Sequence, residues 1–209
     1  ASQPETGEVF VIQDGQRVGL WSGLATPRGV DVGADGSVHV AEETGMAVTT
    51  RAAADGRVLA SLTVGSAPTD VTIDTIGDRY VMSNGAIHWY PAGETRSTRA
   101  LYRRAFRGVA ATVRGVFATE ANDVAPIFHG VLRYPWQPRE NAEPDIWGLL
   151  AYPLGRLNAP VAIHAASDGH VWVADAWPRA QAFTPEGTAV RQTALCAPGR
   201  SECGPTVDI

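Results

Sequence analysis

Four short stretches of this chain carry a polar side chain at the same place: Glu42 ends VHVAE, Ser83 ends RYVMS, Glu120 ends VFATE and Asp175 ends VWVAD. Glu43, Asn84, Asn122 and Asp123 stand beside them. Brought together, such oxygens are hard ligands suited to Ca²⁺ or Mg²⁺, and Glu42, Glu120 and Asp175 are the residues that would hold the ion. The competing reading is local, because Asp and Asn commonly accept the backbone amides of their own turn. A second matched set is Asp31, Thr72, Ala110, His164 and Asp208. A histidine such as His164 between carboxylates such as Asp31 and Asp208 could serve as a general base near a metal. Thr72 and Ala110 interrupt that set, and a solvated histidine is the plainer reading.

Other chemistry is excluded more firmly. All 17 basic residues are Arg, so no lysine exists for a Schiff base, a pyridoxal anchor or a phosphate loop. There is no Gly-x-Ser-x-Gly elbow, no His-Glu-x-x-His and no cysteine placed as a nucleophile. A net charge of −5 argues against a nucleic-acid surface. No apolar run reaches the roughly 18 residues that a membrane helix needs, so no transmembrane segment is expected. The chain opens on Ala and the polar SQPETG, which is consistent with a removed export signal. Cys196 and Cys203 lie in CAPGRSEC, where they could close a disulfide or remain two thiols. A secreted, periplasmic or cell-surface location is the resulting expectation.

The elements that must position these residues repeat. In LATPRGVDVGADGSVHVAEE, Val30 and Val32 alternate with Asp31, Val38 and Val40 alternate with His39, and an Asp-Gly turn lies between. The pattern returns after Pro68 in APTDVTIDTIGDRYVMSN and after Pro160 in APVAIHAASDGHVWVADAW, and the chain ends in GPTVDI with Pro205 in the same place. The prolines are spaced 41, 92 and 45 residues apart, and FRGVAATVRGVFATEAND from Phe106 fills the double interval. Each copy continues into two further short runs, such as MAVTTRAAADGRVLASL, and the first residues GEVFVIQDGQRVGLWSG match this second half alone. Four short antiparallel strands per repeat of about 44 residues predict β-propeller blades.

The expectation is therefore a single all-β domain over 1–209, a β-propeller of about five four-stranded blades. The fifth blade would join C-terminal TVDI to N-terminal EVFVIQ and RVGLW, with only ASQPETG to supply its missing strand; otherwise that blade is three-stranded or the chain is part of a propeller of six or more blades. The repeat resembles the NHL-repeat propellers and the related gluconolactonase and streptogramin-lyase-like group, best over 24–65 and 157–195. The resemblance implies a divalent cation in the channel of the lactonase-like members. It leaves activity open, because the group includes lyases, lactonases, sensor domains and binding platforms.

Residues 124–158 read as the least blade-like segment, a Pro-rich insertion that concentrates Phe128, Tyr134, Trp136, Trp147 and Tyr152. Aromatic and Arg anchors favour a docking surface for a protein partner or an assembly subunit; alternatively the rings pack between blades. The leading expectation is thus an extracytoplasmic binding or scaffold propeller. The alternative is a divalent-metal-dependent lyase or hydrolase acting at the channel mouth.

Overall fold

The computed structural model describes residues 1–14, 16–101, 106–122, 128–136, 143–148 and 154–195. Tyr152, Asp123, Cys196, Cys203, Pro205 and Asp208 lie outside the described residues. Contacts divide the chain into two compact units, 1–101 and 102–209. No described helix is long and apolar enough to cross a membrane.

The first unit holds three antiparallel sheets. Sheet I runs β4 (Pro27–Val32), β5 (Val38–Glu42), β6 (Ala47–Arg51) and β7 (Val58–Thr63). Sheet II runs β8 (Pro68–Ile73), β9 (Arg79–Ser83), β10 (Ala86–Tyr90) and β11 (Arg99–Leu101). The remaining sheet has three strands among the described residues: β1 (Ser2–Gln3), β2 (Glu8–Gln13) and β3 (Gln16–Trp21). Its first strand comes from ASQPETG, the segment whose composition is poorest for a strand. Pairing of Ser2 with Val9 is reinforced where the Ala1 ammonium donates to the Phe10 carbonyl at 3.0 Å. The second unit holds sheet III, with β12 (Phe106–Thr112), β13 (Gly115–Asn122), β14 (Phe128–Tyr134) and β15 (Asp145–Trp147), and sheet IV, with β16 (Ala162–Ala165), β17 (Val171–Asp175), β18 (Arg179–Phe183) and β19 (Ala189–Ala194). Five meander sheets make the fold an all-β, five-bladed β-propeller.

The spaced prolines open the first strand of a sheet, where no ladder donor is lost: Pro27 begins β4 and Pro68 begins β8. Gly29 follows the first because β4 and β8 approach closely; a Cβ at Gly29 would stand 2.6 Å from the Asp70 Cα. Between sheets I and II the core comprises Ala41, Val48, Leu62, Val71, Val81 and Tyr90. The corresponding core of sheets III and IV contains Ala110, Phe117, Val131, Ile163, Val171 and Phe183.

Residues 124–158 are less of an insertion than their prolines suggest. Phe128–Tyr134 and Asp145–Trp147 are the third and outermost strands of sheet III. Tyr134 is buried, and Trp147 packs on the core with its ring 4.7 Å from Phe183 and edge-on to Phe117. Phe128 is half-buried, and Trp136, at 39% exposure, is the most open of the four aromatics described. FHGVLRY lacks the period-two alternation of the other strands and is buried along most of its length, so sequence pattern alone does not mark it as a strand.

Candidate functional site

The polar residues ending the second strand of each sheet do occupy one equivalent place. Glu42 pairs with Pro27, Ser83 with Pro68 and Glu120 with Phe106, each opposite the start of its sheet's first strand. Asp175 lies one step past the pairing of Ala174 with Ala162. All four are buried. Three of them bond to the loop that leads into their own sheet: Glu42 accepts the Ala25 amide at 2.8 Å, Asp175 accepts the Asn158 amide at 3.3 Å, and the Ser83 and Ser66 hydroxyls meet at 2.9 Å. Ala25, Ser66 and Asn158 each precede the repeat proline by two residues. At these three corners the residue is a clasp on the incoming loop.

Two of these acids also hold an arginine. Glu42 Oε1 takes the Thr49 hydroxyl at 2.5 Å and the Arg51 guanidinium at 2.8 Å. Burial raises the Glu42 pKa, but these donors and the Ala25 amide outweigh it and hold the carboxyl below its ordinary range. Asp175 accepts the Trp177 amide and faces Arg179 through both oxygens, 3.1 Å from Nη2. There burial dominates and pushes the carboxyl up despite Arg179. Glu43 bridges Arg28 at the surface, 2.8 Å away. Asn84 and Gly85 form the two-residue turn between β9 and β10, both with positive φ, as a type I′ hairpin requires. A Ca²⁺ or Mg²⁺ ion does not fit Glu42 and Asp175, since each carboxylate is already paired with an arginine and bonded to backbone amides. Among the described residues no three His, Cys, Asp or Glu side chains gather as a metal group.

The second matched set also links sheets. Asp31, on β4, accepts the Thr72 hydroxyl at 2.7 Å and the Ile73 amide at 2.8 Å, both on β8. Ala110 is buried in the core of sheets III and IV, and His164 is half-buried on β16.

Among the described residues lies a cleft, largely apolar with a polar wall, that the sequence reading did not anticipate. It lies between sheets I and II in the first unit, has a volume of about 540 Å³, and is lined by His39, Thr50, Ser37, Asp35, Asp74 and Arg79 over an apolar floor that includes Leu62, Ile73 and Ile76. That volume is within the roughly 300–1,000 Å³ of ligand pockets. Its origin is a break in the repeat. Three residues before each corner stand His39, Tyr80, Phe117 and Trp172; four before stand Val38, Arg79, Val116 and Val171. His39 departs from a run of aromatics and Arg79 from a run of valines. Register places both departures at one junction: His39 is in line with Asp31, Thr50 and Ala60 across sheet I, and Arg79 with Ile73 and Tyr90 across sheet II. In the second unit the equivalent junction is closed by Phe117, Val171 and Phe183.

Hydrogen bonds decide the chemistry. Ser37 Oγ donates to Asp35 Oδ1 at 2.7 Å, so at 3.2 Å it can only accept from His39 Nε2. The other ring nitrogen, Nδ1, then accepts from the Thr50 hydroxyl at 3.3 Å. Asp35, Ser37 and His39 resemble a nucleophilic triad in composition, but the serine proton belongs to Asp35 and the imidazole does not activate it. Burial, then the Arg79 charge, hold the His39 pKa below its usual value, and the ring is a neutral wall of the cleft. Arg79 Nη2 donates to the Glu94 carbonyl at 2.6 Å, which anchors the guanidinium at the loop after β10. Burial lowers its pKa, against Tyr90 and Asp78, yet an arginine stays charged.

Comparison with solved structures finds the β-propeller fold in other proteins. The chain is similar to a streptogramin B lyase, at 14% identity and a TM-score of 0.57 over 82% of this chain and 55% of that one. A catalytically inactive virginiamycin B lyase variant from Staphylococcus aureus, in complex with quinupristin, gives 14% identity and a TM-score of 0.59 over 92% and 64%. A gluconolactonase from Xanthomonas campestris gives 13% and 0.59 over 79% and 60%. The chain spans 55–66% of the length of the lyase structures it matches. No protein-family model matches the chain. No curated protein matches it either.

Proposed function

We propose that this propeller handles a small molecule, in the manner of a lyase or hydrolase, with the cleft between sheets I and II as its binding place. The observation that carries the reading is the pairing of His39 with Arg79 at a junction whose internal counterpart is closed by Phe117 and Val171. A buried imidazole and a half-buried guanidinium cost stability that aromatic and aliphatic side chains would supply, and such departures from local consistency belong to functional sites. The lyase and gluconolactonase likenesses support the enzyme side, as fold analogy. Arg79 would orient an anionic group or stabilise negative charge that develops on it. Protein docking through residues 124–158 draws less support, because Tyr134 and Trp147 are committed to packing. An extracytoplasmic setting, with Cys196 and Cys203 joined, belongs to the same proposal; intact mass before and after reduction tests the disulfide.

The reading is tested by ligand-observed NMR of a small-molecule library against the protein and against the doubly filled variant His39→Phe/Arg79→Val. Hits that vanish on filling are expected. A hit list unchanged by filling would refute the assignment of the cleft.

A further inference from the structure

Resting on the small-molecule reading above, we infer that the cleft between sheets I and II selects a singly charged organic carboxylate, with Arg79 as its clamp and the apolar floor as the seat of its body. Among the described residues Arg79 is the only cation lining the cleft. One of its Nη atoms donates to the Glu94 carbonyl, which anchors one arm of the guanidinium, while the charge of Asp78, its neighbour in the chain, acts on it. A planar guanidinium fork anchored at one arm is a donor geometry that a carboxylate matches with two parallel bonds.

The charge of the ligand follows from the acids that share the lining. Asp35 uses Oδ1 for the amide and hydroxyl of Ser37, and Asp74 uses Oδ1 for the amides of Ile76 and Asp78. Both belong to the turns of their own sheets, but their negative charge remains beside the cleft. Two carboxylates beside one guanidinium leave the lining net negative, so a dianionic phosphate is repelled more strongly than a monoanion seated on Arg79 itself. The neutral His39 ring adds no second cation. Leu62, Ile73, Ile76, Ala60 and Ala92 offer apolar contact to the remainder of the ligand, and Ser61 and Thr95 add hydroxyls.

The experiment is isothermal titration of the whole chain with benzoate and hexanoate, their amides benzamide and hexanamide, and inorganic phosphate, repeated on Arg79→Val, Arg79→Lys and His39→Phe. The acids should bind about tenfold or more tightly than the amides, with Arg79→Val abolishing that preference and Arg79→Lys retaining part of it. Arg79→Val and His39→Phe should each unfold a few degrees higher than the parent when unliganded, which shows that loss of binding is not loss of folding. Amides that bind as well as acids and are lost in His39→Phe would overturn the carboxylate assignment and leave the small-molecule reading standing. Silence from acids and amides alike would overturn both. Phosphate binding more tightly than benzoate, or acids holding undiminished to Arg79→Val, would also sink the inference.

Discussion

The Thr72 hydroxyl donates to Asp31 at 2.7 Å, and the next amide, Ile73, donates to the same carboxylate oxygen at 2.8 Å. One acid on the first strand of sheet I thus holds the first strand of sheet II, at sequence positions that the repeat makes equivalent. Hydrogen bonds to a charged group in a part-buried place are among the stronger ones.

Asp31→Ala should therefore cost about 1–3 kcal/mol, because it strands the Ile73 amide as well as the Thr72 hydroxyl. Thr72→Val should cost less, about 1 kcal/mol, since it removes only one of the two donors. Urea unfolding of the two single variants and the double variant measures their coupling. Strict additivity would show that the bond does not join the sheets.

Glu42 and Arg51 form a buried pair with the hydroxyl of Thr49 between them. Glu42→Ala leaves the guanidinium uncompensated and also frees the Ala25 amide, so the expected loss is about 3–5 kcal/mol. The double variant Glu42→Ala/Arg51→Ala should lose less than the sum of the single variants. Added Ca²⁺ or Mg²⁺ should leave the parent's melting temperature unchanged if Glu42 is a clasp; a rise that Glu42→Ala abolishes would instead make it a ligand.

Trp147 and Trp136 sit eleven positions apart in the segment that the sequence marks for docking, yet they do different work. Trp147 lies against Phe183 and against the turn at Gly187, where an added Cβ would come 2.5 Å from its Cγ. Trp147→Ala should cost about 3–5 kcal/mol, and Gly187→Ala, at φ +88°, should also destabilise clearly. Trp136→Ala should change stability by no more than about 1 kcal/mol. Thermal unfolding of the three variants checks the ranking.

These contrasts show what the sequence makes legible. Strand starts were readable from Pro27 and Pro68, because a proline at the head of a strand is a local constraint, and Tyr90-Pro91 and Tyr134-Pro135 do close β10 and β14. The corner acids were readable as equivalent positions, but whether they converge on an ion or clasp their own loops depends on where Arg51 and Arg179 reach, which spacing does not give. Strands β14 and β15 were obscured by the prolines around them. The His39 and Arg79 departures are visible once VHVAE, RYVMS, VFATE and VWVAD are stacked. That they face each other follows only from strand order and side-chain parity, which are long-range facts.

Acid titration offers a test of the cleft that needs no ligand. Burial depresses the pKa of His39, helped by Arg79, and burial alone depresses that of His88. In the unfolded chain each imidazole takes up its proton near pH 6.5, whereas in the folded chain each resists until a lower pH. Below about pH 6.5 the unfolded state therefore binds more protons, and stability must fall as pH falls; above that value the full contribution is present. The carboxylate of Glu42, held below its ordinary range, adds its own loss at lower pH still. Urea unfolding between pH 7.5 and pH 5 (about one unit above and below the imidazole value) should show the decline, and His39→Phe should flatten it while leaving the share of His88. An unchanged slope in His39→Phe would mean that the ring titrates freely, and the neutral wall assigned to the cleft would not exist.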